Sequence, residues 1–112
     1  MLITGRTQSG KSTLIDIEDQ INHHHNNVMI ECPIDQFMNS YTEGELIILI
    51  DTPAIFCMQR ALTAGKHLSL SEIKKQDIII EYVKELPYCT IIKNNLTIDD
   101  FKVKIKKLLK NL

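Results

Sequence analysis

Three scarcities bound what this chain can be: paired cysteines, charge of one sign, and long hydrophobic runs. Its three cysteines, Cys32, Cys57 and Cys89, lack C-x-x-C spacing and sit among apolar neighbours. That points away from a disulfide framework or a zinc site and towards buried thiols. The 13 basic and 14 acidic residues leave a formal net charge of −1, mixed along most of the chain. Without a one-signed field there is no electrostatic case for a nucleic-acid or membrane partner. No apolar run approaches the ~20 residues that cross a bilayer. There is no internal repeat, low-complexity tract or linker, and 112 residues that are 44 % apolar and 24 % charged make one ordinary domain, 1–112, with a modest core. The expectation is a cytoplasmic protein whose partner is a small molecule.

Against that background one stretch stands out. Gly5-Arg6-Thr7-Gln8-Ser9-Gly10-Lys11-Ser12-Thr13 fits G-x-x-x-x-G-K-[ST], the pattern of a phosphate-binding loop. Its glycines let the backbone curl until consecutive N–H groups point at phosphate oxygens. Lys11 then reaches the β- and γ-phosphates, and the Ser12 hydroxyl meets Mg²⁺. Such a loop belongs between a strand and a helix. Leu2-Ile3-Thr4 reads as the end of a strand, and Ser12 to Ile21 as a helix with Leu14, Ile17 and Ile21 on its apolar stripe. The loop begins so early that no leader is expected before it.

Further along, Asn22 to Asn27 reads as a helix end and turn, since three consecutive histidines cannot all face one metal ion. Val28 to Glu31 predicts a short strand that Pro33 ends. The unbroken branched run between Glu45 and Asp51 predicts a strand covered on both faces. Pro53 opens a helix that Gly65 stops, and Ser69-Leu70-Ser71-Glu72 is a capping box for a helix closed by Pro87. Ile73, Ile79, Ile80, Val83 and Leu86 form its apolar side. Tyr88 to Ile92 predicts a strand. Thr97 caps a last helix that turns Ile98, Phe101, Ile105, Leu108 and Leu112 inward and five lysines outward. The fold class is therefore α/β, with a small, mainly parallel sheet of about four strands. Ligands belong at its carboxyl edge, where Gly10, Glu31 and Asp51 emerge.

Two strand-end acids compete for one task there. Asp51 stands where an acid orients Mg²⁺ through water; Glu31 would do that or activate an acceptor hydroxyl, or each simply caps the turn that follows.

The block Asp51-Thr52-Pro53-Ala54-Ile55-Phe56-Cys57-Met58-Gln59-Arg60-Ala61-Leu62-Thr63-Ala64-Gly65-Lys66 resembles the strand and lid-helix entry of thymidylate kinases and their nucleoside and nucleotide kinase relatives. There the pattern is D-x-P, an arginine seven residues after the proline, and a small lid. Val28 to Tyr41 is similar, more weakly, to the family's strand that ends in Asp-Arg or Glu-Arg and runs on to a serine and a tyrosine. The resemblance implies a P-loop NTPase-type three-layer sandwich and ATP-dependent phosphoryl transfer to a nucleoside or nucleoside monophosphate, with ATP and Mg²⁺. It implies catalytic roles for Lys11, Arg60 and Glu31, an α-phosphate contact for Thr13, and an adenine contact for Asn94. As a plain residue of an amphipathic helix, Arg60 has a bland alternative.

The chain also departs from that pattern. A second lid arginine is missing near Ala64, Cys32 replaces the arginine after the acid, and a strand and helix that help bind the acceptor are absent before Glu31. A minimal kinase, a kinase completed as a homodimer, and a non-catalytic nucleotide-binding remnant all stay open. Leu68 to Glu72 and Ile92 to Asn95 resemble dephospho-coenzyme A kinase. Ile50-Asp51-Thr52-Pro53 resembles the acid-bearing segment of switch-type GTPases and ATPases, although Ala54 replaces their γ-phosphate-sensing glycine.

Overall fold

A computed structural model, which describes residues 1–21, 29–95 and 97–110, places the apolar runs in a four-stranded sheet. The strands are β1 (Leu2–Gly5), β2 (Ile30–Pro33), β3 (Ile47–Asp51) and β4 (Cys89–Lys93). They pair in parallel throughout, in the spatial order β2-β1-β3-β4. Between and after them come α1 (Lys11–Ile21), a 3-10 turn (Ile34–Gln36) leading into the short α2 (Phe37–Ser40), α3 (Ala54–Thr63), α4 (Leu70–Lys84) and α5 (Ile98–Lys110).

Alternation along the strands sorts the core into two layers. Ile3, Ile48, Ile50 and Ile92 pack with Leu14 and Ile17 of α1 and with Phe101, Ile105 and Leu109 of α5. Leu2, Cys32, Ile47 and Leu49 pack on the opposite face with Ile34, Phe37, and Ile80 and Val83 of α4. Burying each such side chain contributes about 1.5–3 kcal/mol, so the two apolar layers hold the sheet between helices. Steps along the sheet in opposite directions carry their helices on opposite faces, as a single crossover hand requires. The step from β1 to β2 passes through α1; the return to β3 and on to β4 passes through α2 and α4 on the other side.

The ends of elements follow local chemistry. The Ser69 Oγ accepts from the Glu72 N–H at 3.2 Å and starts α4. Thr97 Oγ1 accepts from the Asp100 N–H at 3.2 Å and starts α5. Gly65 takes φ +74 just beyond α3.

Two expectations shift. The strand expected over 28–31 lies at Ile30–Pro33, with Pro33 paired beside Gly5. A proline fits there because β2 is an edge strand, where a missing N–H costs no ladder bond. In α5 the buried residues are Phe101, Ile105 and Leu109, whereas Ile98 is exposed and Leu108 only partly covered. The expected turn at 22–27 and inward Leu112 lie outside the described residues.

Candidate functional site

The strand order reverses at β1, whose neighbours β2 and β3 lie on either side of it. Chain leaving the carboxyl end of such a strand opens into a crevice, and the Gly5–Ser12 loop leaves there. Both glycines of the pattern are structurally required. A β-carbon on Gly5 would come within 2.6 Å of the Ile50 carbonyl oxygen and of Ser9 Oγ. Gly10 has φ +114, and a β-carbon there would stand 2.8 Å from the Phe101 ring and 2.9 Å from Asn94 Nδ2.

The loop is braced from four elements. Thr52 Oγ1, just past β3, donates to the Ser9 carbonyl at 2.7 Å, and Asn94 Nδ2, just past β4, donates to the same oxygen at 2.8 Å. Arg60 Nη1 of α3 donates to the Gln8 carbonyl at 2.9 Å. From α4, Gln76 Nε2 donates to Thr7 Oγ1 at 3.3 Å and Asp77 accepts from Arg6 Nη2.

Inside the curl, Lys11 is only 8 % exposed. Its Nζ donates to the carbonyls of Arg6 at 2.9 Å and Gly5 at 3.2 Å. Burial pulls its pKa below the ordinary 10.5, against an opposing pull from the Glu31 carboxylate. Around it, the backbone N–H groups of Gly10, Lys11, Ser12 and Thr13 donate to no carbonyl among the described residues. Unpaired N–H groups and the positive end of the helix dipole make this end of α1 attractive to anions.

These groups open into a cavity of about 550 Å³. It is lined by Thr7 to Thr13 of the loop and the start of α1, by Glu31 and Pro33 of β2, by Arg60 of α3, by Asn94 just past β4, and by Ile98 and Phe101 of α5. Ten of the residues singled out from sequence thus meet in one place. Gly5, Arg6 and Asp51 do not line it. Asp51 instead pairs with Lys84 Nζ of α4 at 3.3 Å. Burial works to lower the Lys84 pKa, but the carboxylates of Asp51 and Glu81 outweigh it and hold the ammonium above 10.5.

Strand parity explains the division between the two acids. Asp51 follows Ile47 and Leu49 at intervals of two, so it faces α4. Glu31 precedes Cys32, which faces α4, so Glu31 faces the α1 and α5 side where the cavity lies. Asn94 is buried and its amide N–H is committed to Ser9, which makes it a brace of the loop as well as a wall.

The chain matches no protein-family model, no curated protein and no solved structure. The site therefore has to speak through its own geometry.

Sequence reading missed Thr52, Gln76 and Asp77. Gln76 had a signal: it interrupts the buried stripe of Ile73, Ile80 and Val83 on α4 with an amide that is itself buried. Phe101 was legible as core but not as cavity wall, since its ring does both.

Proposed function

We propose that the protein binds ATP with Mg²⁺ and transfers the γ-phosphoryl group to a nucleoside or nucleoside monophosphate, as a shortened, thymidylate kinase-like member of the P-loop NTPase type. The observation that carries this reading is the meeting of unpaired N–H groups, the Lys11 ammonium, the Arg60 guanidinium and the Glu31 carboxylate in one cavity. At about 550 Å³ that cavity is of the size that takes a small organic ligand.

The walls give a ligand its direction. Ile98 and Phe101 offer an apolar face to a base, the start of α1 receives the phosphates, and Glu31 stands at the opposite wall. Lys11 exchanges its two carbonyl partners for β- and γ-phosphate oxygens. Arg60, leaving the Gln8 carbonyl, neutralises charge that grows on the migrating group. With a nucleoside acceptor, Glu31 takes the proton of the hydroxyl as the hydroxyl oxygen bonds to the γ-phosphorus and the bond to the β,γ-bridging oxygen breaks, releasing ADP; a monophosphate acceptor attacks through a phosphate oxygen that is already ionised and gives up no proton. The donor set fits Mg²⁺, because Ser12 presents an exposed hydroxyl and Glu31 a carboxylate, both hard oxygen ligands. When bound, the ion supplies charge neutralisation for the phosphates.

A second reading, nucleotide binding without transfer, is favoured by one observation: with Asp51 committed to Lys84, Glu31 alone serves two tasks. ATP consumption by the full chain, alone and with a panel of nucleosides and nucleoside monophosphates, separates the two. Consumption that needs one acceptor supports transfer, whereas ATP binding with no turnover supports the second reading. In the first case, with a nucleoside acceptor, Glu31→Gln lowers turnover by about 10²-fold or more with little change in ATP affinity.

A further inference from the structure

Two consecutive residues of the loop are fastened to two consecutive residues of α4. Arg6 pairs with Asp77, and Thr7 accepts from Gln76. The attachment is selective in what it fixes. The Arg6 carbonyl is the oxygen that receives both the Ser9 N–H at 3.0 Å, closing the turn, and Lys11 Nζ at 2.9 Å. The Arg6 side chain is 12 % exposed, and its Nε and Nη1 are buried without a hydrogen-bond partner. Asp77 is thus the guanidinium's one anchor among the described residues, and a buried charge deprived of its anchor has to move or rearrange. Gln76 is 7 % exposed, a polar group kept in the apolar stripe of the helix.

We propose that Asp77, with Gln76 beside it, is a positioning residue for the phosphate-binding loop: through Arg6 it sets the carbonyl that holds Lys11 and the turn whose N–H groups receive the ligand. The role as phosphate binder rests on the function proposed above; the ordering of the loop does not. α4 touches no phosphate in this account and acts only by holding residues 6 and 7.

Hydrogen exchange of the free, full chain tests the ordering directly. In Asp77→Asn the hydrogen-bonded amides of the loop, Ser9 on the Arg6 carbonyl and Leu14 on the Gly10 carbonyl, exchange about tenfold faster while those of β1 and β3 keep their protection, as expected when a charge-assisted bond is lost. Asp77→Glu, which keeps the charge, restores slow exchange, and Glu81→Gln, an exposed acid on the same helix, leaves the loop unchanged. Unchanged loop exchange in Asp77→Asn overturns the proposal. So does a loss of protection over loop and sheet together, because the pair then serves the fold as a whole. ATP affinity with Mg²⁺, measured on the same proteins, falls about tenfold in Asp77→Asn and recovers in Asp77→Glu. Absence of binding by the wild type would sink the nucleotide reading, and the exchange result would still decide the positioning one.

Discussion

An ammonium group that is only 8 % exposed carries a desolvation cost, and in Lys11 two backbone carbonyls and a facing carboxylate answer part of it. The remainder appears as a pKa below 10.5. Keeping Lys11 charged in the folded chain therefore costs stability below the lowered pKa, and that cost is relieved as pH rises through the lowered pKa towards 10.5. The proposed nucleotide binding needs the charged form. ATP affinity should fall as pH rises through the alkaline range, beginning below 10.5, and should stay level in Lys11→Arg, whose guanidinium does not titrate there. Calorimetric titration at several pH values checks this, and a wild type as level as the variant would remove Lys11 from the phosphate contact. Gly10 makes a separate residue-scale prediction. Gly10→Ala meets both a strained backbone at φ +114 and the Phe101 ring, so it should destabilise the protein by at least about 1–3 kcal/mol in urea unfolding.

Among the elements, α4 combines a local start signal with a long-range duty. Its first turn depends on Ser69, and Ser69→Ala should cost about 1 kcal/mol in urea denaturation, with Gln76 and Asp77, further along the helix, still in place. A cost near zero would mean that packing against the sheet, not the cap, fixes where α4 begins. Much at this scale was legible. The branched run before Asp51, the Ser69 and Thr97 caps and the glycine after α3 each follow from local chemistry, and the structure has them within a few residues of where they were expected. What was not legible depends on which face a residue takes. Nothing in residues 45–51 says which side Asp51 faces until Leu49 and Ile47 are seen against α4. The same holds for α5, which is rolled so that Ile98 borders the cavity and Leu109 enters the core. The Arg6 and Asp77 pair, 71 residues apart in sequence, leaves no local trace.

On the scale of the whole molecule, the sheet order β2-β1-β3-β4 carries the account. It puts the loop after β1 at the reversal, Glu31 on one side of it, and Asn94, Ile98 and Phe101 on the other. A fold of 112 residues has one modest core, so a ligand bridging α1, α3, β2 and α5 should raise stability noticeably. Mass action gives about 2.7 kcal/mol at a ligand concentration one hundred times Kd. No helix among the described residues is long and apolar enough to cross a membrane. The most direct measurement is calorimetric titration of the wild type and of Lys11→Met with ATP and Mg²⁺. The wild type should bind saturably and one-to-one, and the variant should lose that binding while still unfolding cooperatively. Equal binding by both proteins, or none by a folded wild type, would contradict the proposed nucleotide binding.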